Sequence, residues 1–488
     1  MIFQYLKLNK SEFKYFLYAF LASLLARGVV LFNLSYAIDD YSYMFTHITL
    51  DRNCISFGRW GLGIVNDFFF YLGIEGPYAF PFVAILSFLT LAYVSVLICR
   101  MWDVKGFWAC ILVSLFFILH PYQSEIYTFR IASISFFVAL LFAFTSFYLA
   151  GVLKRRLLFL PIMLFVFSLS VYQIVLNYVF VVYFFSLIVF LLFKQNERRN
   201  RESLFSQFIL LIGGTFVYFI VNKLILYLTQ IETPKRAEFV TFDQIPDRVK
   251  EISLLVFGMF YQAESILPFL TKILLLLFLL LFIFSVSIFL LKKKLYLKLA
   301  LFIFVFILAY FSTIGVNMMN GVWWPAPRVL ASVGIFWGGI LAITYKLKMK
   351  LILKISLTLS IVVLFSFVGV NNKVFVDQIR INKFDFSSAI RITSLLEKQP
   401  NFSPSMPLYI DGRIQYTYLP VTMMYDMNVS ALLQPWSKVS LLNESVGYSF
   451  LQPNPMQVDI GRKACEDAAK WPSEKSVFVV EGVGVVCL

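Results

Sequence analysis

Residues 267–294, LPFLTKILLLLFLLLFIFSVSIFLLKKK, decide the fold class of this chain. The apolar part of this stretch exceeds the roughly 20 residues that a helix needs to cross the hydrocarbon core of a bilayer. Similar apolar runs lie at about 15–36, 79–99, 106–119, 131–151, 157–171, 174–193, 207–228, 299–315, 328–345 and 351–370. We therefore predict an all-α polytopic membrane protein with about nine to eleven transmembrane helices.

The composition agrees with this fold class. Of the 488 residues, 60% are hydrophobic and 14% are charged, against roughly 45–50% and about 25% in soluble domains. These values exclude a disordered chain and argue against a soluble enzyme. Two histidines and five cysteines without a CxxC pair also exclude a multi-histidine metal site, a zinc ribbon and an iron–sulfur cluster.

The net charge of +15 is concentrated in short loops between the apolar runs. After residue 370 the chain has 11 basic and 11 acidic residues, so the whole excess precedes that point. The excess forms six clusters, at Lys7–Lys14, Arg100–Lys105, Lys154–Arg156, Lys194–Arg201, Lys292–Lys298 and Lys346–Lys354. Because basic loops stay in the cytoplasm, we predict a cytoplasmic N-terminus and, with an odd number of spans, an external C-terminus.

The confinement of the positive charge to these short loops argues against a nucleic-acid-binding surface.

Polar residues collect in the loops on the outer side. These loops are expected at about 36–78, 120–130, 230–266 and 316–328, and the third has a helical pattern around Asp247–Tyr261. The inner loops are short and merely basic. Residues 1–370 are therefore predicted to form a transmembrane domain whose functional groups face outward.

Residues 371–488 have the composition of a small soluble α/β domain. Patterns typical of strands and of one helix occur at Lys373–Val376, Leu408–Ile410, Val477–Val480 and Ser387–Glu397. Cys465 and Cys487 both lie in this external part, where an oxidising compartment favours a disulfide. Two free thiols are the alternative.

Two adjacent carboxylates, Asp39 and Asp40, follow the first span directly. A carboxylate beside lipid costs free energy unless water solvates it, so its presence there indicates either a solvated position or a functional role. One of them can act as a general base that takes a proton from an attacking hydroxyl, and the alternative is a solvated cap at a helix end. Asp40 is slightly favoured as the base because it is expected to lie further from the bilayer and nearer to solvent.

Three arginines, Arg59, Arg130 and Arg328, are expected on the outer side, where positive charge is otherwise rare. Arginine binds phosphate oxygens through a planar fork and keeps its charge, so these residues are candidates for binding a lipid phosphate. The alternative for each is an interfacial anchor. Trp323 and Trp324 can likewise stack on a sugar or belong to an aromatic belt.

Four short segments, in this order and topology, resemble a known family. They are IDDYSY at 38–43, FGRWG at 57–61, HPYQSEIYTFR at 120–130 and SVYQ at 170–173. The chain resembles the C-type membrane glycosyltransferases, and among them the phage-encoded O-antigen glucosyltransferases of serotype conversion. The similarity spans roughly residues 1–345.

The resemblance implies a glucosyl transfer from undecaprenyl-phosphate glucose to a sugar of the lipid-linked O-antigen, by inverting displacement at the periplasmic face of the bacterial inner membrane. Asp39 or Asp40 would deprotonate the acceptor, and the three arginines would stabilise the departing phosphate. Glu125 and Gln173 lie in the resembling segments and join Trp323 and Trp324 as sugar- or acceptor-binding residues.

The resemblance also implies partners and leaves alternatives. A small flippase and a separate enzyme that loads glucose onto the lipid are the expected partners. No cofactor is expected, and a divalent cation is compatible with the pattern but not indicated by it. The alternatives are transfer of another sugar, transfer to lipid A, an O-antigen polymerase, and a transporter of polysaccharide or lipid-linked sugar, although the internal repeats typical of transporters are absent from the sequence.

Overall fold

The computed structural model describes residues 2–44, 47–74, 77–194, 198–260, 266–416 and 421–488. These residues form mostly helices, with one small sheet near the C-terminus. The elements are α1 Ile2–Leu6, α2 Lys10–Arg27, α3 Ile38–Ser42, α4 Arg52–Ser56, α5 Trp60–Tyr71, α6 Phe80–Met101, α7 Phe107–Leu119, α8 Ser124–Thr128, α9 Arg130–Val152, α10 Phe159–Val171, α11 Val175–Val189, α12 Arg198–Thr229, α13 Ile245–Phe260, α14 Phe269–Lys292, α15 Tyr296–Phe311, α16 Val316–Met319, α17 Pro327–Leu330, α18 Val333–Leu347, α19 Lys350–Leu396, β1 Leu408–Asp411, α20 Pro435–Val446, α21 Pro455–Glu466, β2 Val477–Val480 and β3 Val483–Cys487.

The prediction of an all-α membrane protein is confirmed. Within the described residues, 8 helical segments are long and apolar enough to cross a membrane, or up to 9 when a bent pair counts as one span. Each of the apolar runs in the sequence contains a helix, but α10 and α15 are short, with 13 and 16 residues. Among the described residues, the count of 8 lies just below the predicted nine to eleven spans, and it reaches nine only when the bent pair is counted. The predicted helix at Asp247–Tyr261 is α13, and Tyr261 lies outside the described residues.

Three of the basic clusters meet at one end of the helical bundle. Arg100 at the end of α6 pairs with Glu12 of α2 at 2.7 Å and donates to the carbonyl oxygens of Tyr5 and Lys7. Lys346 of α18 donates to the carbonyl oxygen of Asp103 over 2.6 Å. We call this the basic end.

A break in the third span shapes the opposite end of the bundle. The helix α7 ends at Leu119, and the segment from Pro121 to Thr128 continues after a bend of 48°. Pro121 interrupts the helix because its ring removes a hydrogen-bond donor. The carbonyl oxygens left at the break accept hydrogen bonds from the buried guanidinium of Arg27, at 2.7 Å for Ile118 and 3.2 Å for His120.

The helix α19 is 47 residues long and continues without interruption through residue 370. The predicted strand at Lys373–Val376 is therefore wrong, whereas the predicted helix at Ser387–Glu397 lies on α19 apart from its last residue, which caps the helix. The extension carries buried polar residues that hold loops from other parts of the chain. The contacts are Asn371 to Leu119, Gln378 to Ser35, Asn382 to Tyr36, Asp377 to Thr422, and Asp385 to Ser430 and Ala431.

The C-terminal sheet has the strand order β1-β3-β2, with β1 parallel and β2 antiparallel to β3. The strand predictions at Leu408–Ile410 and Val477–Val480 agree with β1 and β2. Cys465 of α21 and Cys487 of β3 form a disulfide. The inner face of the sheet packs on the end of α19 and on α20, so this unit is joined to the membrane part through one continuous helix.

Candidate active site

A cavity of about 940 Å³ lies at the end of the bundle away from the basic end. Its walls come from α3 and the chain after it, from the ends of α9, α10 and α12 on this side of the bundle, from the loop after α12, and from α17 and α20. The walls combine apolar side chains such as Phe136 and Leu169 with arginines, aspartates and aromatic rings. A cavity of this size and mixed lining is typical of a small-molecule site.

Asp39 is the predicted carboxylate that faces this cavity. It lies in the first turn of α3, and its Oδ1 accepts a hydrogen bond from the indole Nε1 of Trp436 over 3.2 Å. Partial burial raises the pKa of Asp39, and the nearby guanidinium of Arg328 opposes this shift. A carboxylate with a raised pKa, open to a cavity, is suited to accept a proton.

Asp40 points away from the cavity, and the expectation that it lies nearer to solvent is wrong. Its side chain is 0% exposed. Its Oδ2 accepts the backbone N–H of Ala37 at 2.8 Å, and its Oδ1 accepts that of Ile131 at 3.0 Å. Burial raises the pKa of Asp40 to about 6, against the effect of these hydrogen bonds. Neighbouring residues on a helix face different directions, so Asp40 caps α3 and joins it to α9.

Arg59 lies in the cavity wall beside Gln173. Its guanidinium lies 5.0 Å from the ring centre of Tyr172, and its Nε donates to Oε1 of Gln173 over 3.3 Å. The amide of Gln173 is fixed in turn, because its Nε2 donates to the hydroxyl of Tyr218 at 2.8 Å. Gly58 allows this arrangement, since it has a φ of +68° and a Cβ would lie 2.5 Å from the hydroxyl of Tyr218.

Arg328 is held by two carboxylates. Its Nη1 lies 2.5 Å from Oε1 of Glu125, and its Nη2 lies 2.8 Å from Oδ2 of Asp426. Glu125 also accepts the backbone N–H of Arg328, and it is 0% exposed. Glu125 is therefore not open to a substrate in this structure. It fixes the position of Arg328, which lines the cavity with part of its charge already balanced.

Besides Asp40 and Glu125, two further predicted site residues lie outside the cavity lining. Arg130 is 1% exposed and donates to the carbonyl oxygen of Asn33 at 2.8 Å and to Ser35, with its guanidinium against the ring of Phe80. Trp323 instead packs against Arg248, whose guanidinium lies 5.0 Å from the ring centre. Both residues support loops around the site.

Arg236, Asp426 and Trp436 are parts of the site that the sequence reasoning missed. The guanidinium of Arg236 lies 5.6 Å from the ring centre of Trp324, whose indole donates to Oδ2 of Asp426 over 3.2 Å. Enclosure by the cavity lowers the pKa of Arg236, and repulsion from two neighbouring arginines, Arg59 and Arg328, lowers it further. Neither Arg59 nor Arg236 forms an ion pair within the described part of the chain, so both can bind an anion.

A signal for Arg236 was present in the sequence. It stands in a predicted outer loop, where a basic residue is as unexpected as at Arg59. The other two residues had no such signal, because they lie in the part of the chain that was predicted to be a separate soluble domain.

Three polar atoms on the cavity wall have no hydrogen-bond partner within the described residues. They are Oγ1 of Thr215, Oδ1 of Asn222 and Nδ2 of Asn317. A buried polar atom without a partner costs about 1–3 kcal/mol. Such atoms indicate a site that a ligand rich in hydroxyl groups can complete. Among the described residues, no group of three or more His, Cys, Asp or Glu side chains is arranged to hold a metal ion.

Comparison with known proteins agrees with this chemistry. The family model described as glucosyl transferase GtrII matches residues 28–343 of the chain. No curated protein is significantly similar to it. The matched range contains Asp39, Arg59, Arg236 and Arg328, whereas Asp426 and Trp436 lie beyond it.

Proposed function

Because the chain belongs to the GtrII family of glucosyl transferases, we propose that it transfers glucose from undecaprenyl-phosphate glucose to a sugar of the lipid-linked O-antigen. The proposed place of reaction is the periplasmic face of the bacterial inner membrane. The observation that carries the proposal is a cavity at the end of a membrane bundle that brings together the carboxylate of Asp39 and two arginines, Arg59 and Arg236, that form no ion pair within the described part of the chain.

Asp39 acts as the general base in this proposal. Its carboxylate takes the proton from the acceptor hydroxyl while that oxygen attacks C1 of the glucosyl group. The bond between C1 and the phosphate oxygen breaks with inversion, and the electron pair leaves with undecaprenyl phosphate. Asp39 is preferred over Asp40 because both oxygens of Asp40 already accept backbone N–H groups.

Arg59 and Arg236 bind the donor phosphate, with Arg328 beside them. Positive charge fixed in advance stabilises the negative charge that develops on the leaving phosphate. The electrostatic repulsion between these arginines is relieved when an anion enters, which favours phosphate over a neutral ligand. Arg130, being buried away from the cavity, has a structural role in this proposal.

The remaining cavity wall can bind the polyprenyl chain and the glucosyl group of the donor. Leu169, Leu176 and Phe136 provide an apolar path for the polyprenyl chain. The ring of Trp324 and the free polar atoms of Asn222 and Asn317 suit the glucosyl group. The arginines supply the charge that the reaction needs, so no cofactor is part of the proposal. A flippase that delivers the donor and an enzyme that glucosylates the lipid are its proposed partners.

The purified protein in lipid nanodiscs provides the test. It is supplied with synthetic undecaprenyl-phosphate glucose and a panel of polyprenyl-pyrophosphate-linked oligosaccharides, with UDP-glucose as the control donor. We expect glucosylated oligosaccharide from the lipid donor only, with inverted anomeric configuration by NMR. Preference for another polyprenyl-phosphate sugar would refute glucose as the transferred sugar. Transfer to lipid A would refute the O-antigen as the acceptor.

A further inference from the structure

An exposed tryptophan of the C-terminal part lies beside the proposed base. Trp436 is 47% exposed and lines the cavity. Its indole N–H donates to Oδ1 of Asp39 over 3.2 Å. The N–H edge of the indole is therefore fixed, while a large part of the ring surface stays open to the cavity.

The element that carries Trp436 is braced against the element that carries Asp39. The helices α20 and α3 share a hydrophobic core in which Tyr41 packs with Leu441 and Leu442. The hydroxyl of Ser42 also donates to the backbone carbonyl oxygen of Trp436 over 3.4 Å. The ring and the carboxylate are thus held at a fixed distance from each other, as a binding site requires.

A role as a lipid anchor does not account for Trp436. Interfacial tryptophans face lipid, and Trp108, which is 71% exposed near the basic end, has the surroundings of such a residue. Trp436 differs because its polar edge binds a carboxylate and its ring lines a cavity with charged walls.

We propose that the acceptor sugar binds against the ring of Trp436, so that the C-terminal part of the chain selects the acceptor. This inference rests on the proposed function. A flat aromatic ring offers a large rigid apolar surface at low conformational cost, which fits the C–H face of a pyranose. Tyr43, Asp51 and Asn53 line the cavity on the same side and provide partners for hydroxyl groups.

Binding and kinetics of three variants test this inference. Trp436→Ala removes the ring, Trp436→Phe keeps an aromatic ring but removes the N–H, and Trp108→Ala is the control at the far end of the protein. The probe is the polyprenyl-pyrophosphate oligosaccharide of the panel that binds the wild type most tightly, and undecaprenyl-phosphate glucose is the donor in the kinetic measurements. Acceptor binding is also measured without donor, by thermophoresis in nanodiscs.

We expect Trp436→Ala to raise the acceptor KM and Kd by about tenfold, with the donor KM unchanged. Trp436→Phe and Trp108→Ala should bind the acceptor nearly as well as the wild type. An active Trp436→Ala variant with unchanged acceptor KM, or an equal rise in both KM values, would overturn the inference. Weaker acceptor binding by Trp436→Ala, together with no glucosyl transfer by the wild type, would support the inference and refute the proposed function.

The pH profile separates positioning of Asp39 from simple structural support. The indole hydrogen bond stabilises the charged form of Asp39, so Trp436→Phe should raise the pKa of Asp39 and move the acid limb of kcat to higher pH. The charged and titratable groups that face Asp39 are Arg328, Asp426, Arg236 and Tyr43, and the substitution changes none of them. An acid limb at the wild-type pH would refute this positioning role.

Discussion

Asp39 and Asp40 are adjacent in the chain but have different surroundings, so their amide variants should fail in different ways. Asp39→Asn removes the proposed proton acceptor, and we expect normal amounts of protein with kcat lowered about 10²- to 10⁴-fold. In Asp40→Asn, one of the two acceptor oxygens is replaced by an NH₂ group. One of the two backbone N–H groups that Asp40 accepts therefore loses its acceptor and faces another donor. We expect lower melting temperature and yield, measured by fluorescence-detected size exclusion. Full activity of Asp39→Asn would remove Asp39 from the mechanism.

Arg59 and Arg236 should not tolerate lysine if they bind the donor phosphate. Lysine keeps the charge but loses the planar fork, which removes a charge-assisted contact of about 1.5–3 kcal/mol. We expect kcat/KM for undecaprenyl-phosphate glucose to fall about 10- to 150-fold in each variant. Lys235→Gln is the matched control, since Lys235 neighbours Arg236 but is outside the cavity lining. If the lysine variants have wild-type kinetics for the donor, Arg59 and Arg236 do not bind the phosphate and are interfacial anchors instead.

Residue types and their predicted placement on the outer side were sufficient to predict part of the site. Asp39, Arg59, Gln173, Trp324 and Arg328 do line one cavity. The sequence could not show which of two adjacent carboxylates faces it, because that depends on the direction of a five-residue helix. The burial of Glu125 and Arg130 was equally hidden, since it arises from contacts with distant segments.

At the scale of elements, the broken span depends on one buried arginine. Arg27 donates to the carbonyl oxygens of Ile118 and His120 and to side-chain oxygens of Ser124 and Asn371. We expect Arg27→Met to leave these acceptors unsatisfied and to cost roughly 3 kcal/mol of stability. The measurement is the melting temperature in detergent. Arg155→Met, at an exposed position in another loop, is the control, and equal melting temperatures would refute the capping role.

Hydropathy predicted the helices well, because a segment in lipid must satisfy its backbone hydrogen bonds internally. It failed at Lys373–Val376, where a short β-type pattern lies within the helix α19. Strand propensity depends strongly on context, and here the neighbouring turns of a long helix decide the conformation. The polar residues of α19 beyond residue 370 contributed to the soluble composition of the segment, although three of them, Asn371, Gln378 and Asn382, are buried against loops of the membrane part.

At the scale of the whole molecule, the orientation in the membrane is the assumption on which the proposed function depends. The basic end gathers Arg100, Lys7 and Lys346, and the cavity lies at the other end. We expect a C-terminal alkaline phosphatase fusion to be active and a C-terminal green fluorescent protein fusion to be dark. Fusions after Lys154 should give the reverse pattern. An active phosphatase after Lys154 would place the cavity in the cytoplasm and refute a periplasmic reaction.

The uninterrupted helix α19 fixes the distance between the cavity and the lipid bilayer. At 1.5 Å per residue, its 47 residues form a rod of about 70 Å, of which the hydrocarbon core takes up about 30 Å. The rod carries the contacts that fix the loop before Asp39 and the segment before Trp436. The same helix therefore sets the distance of both sides of the cavity from the lipid. We expect such an enzyme to choose among the sugars of a lipid-linked chain partly by their distance from the bilayer, so that lengthening the acceptor at its lipid-proximal end moves the glucosylated position.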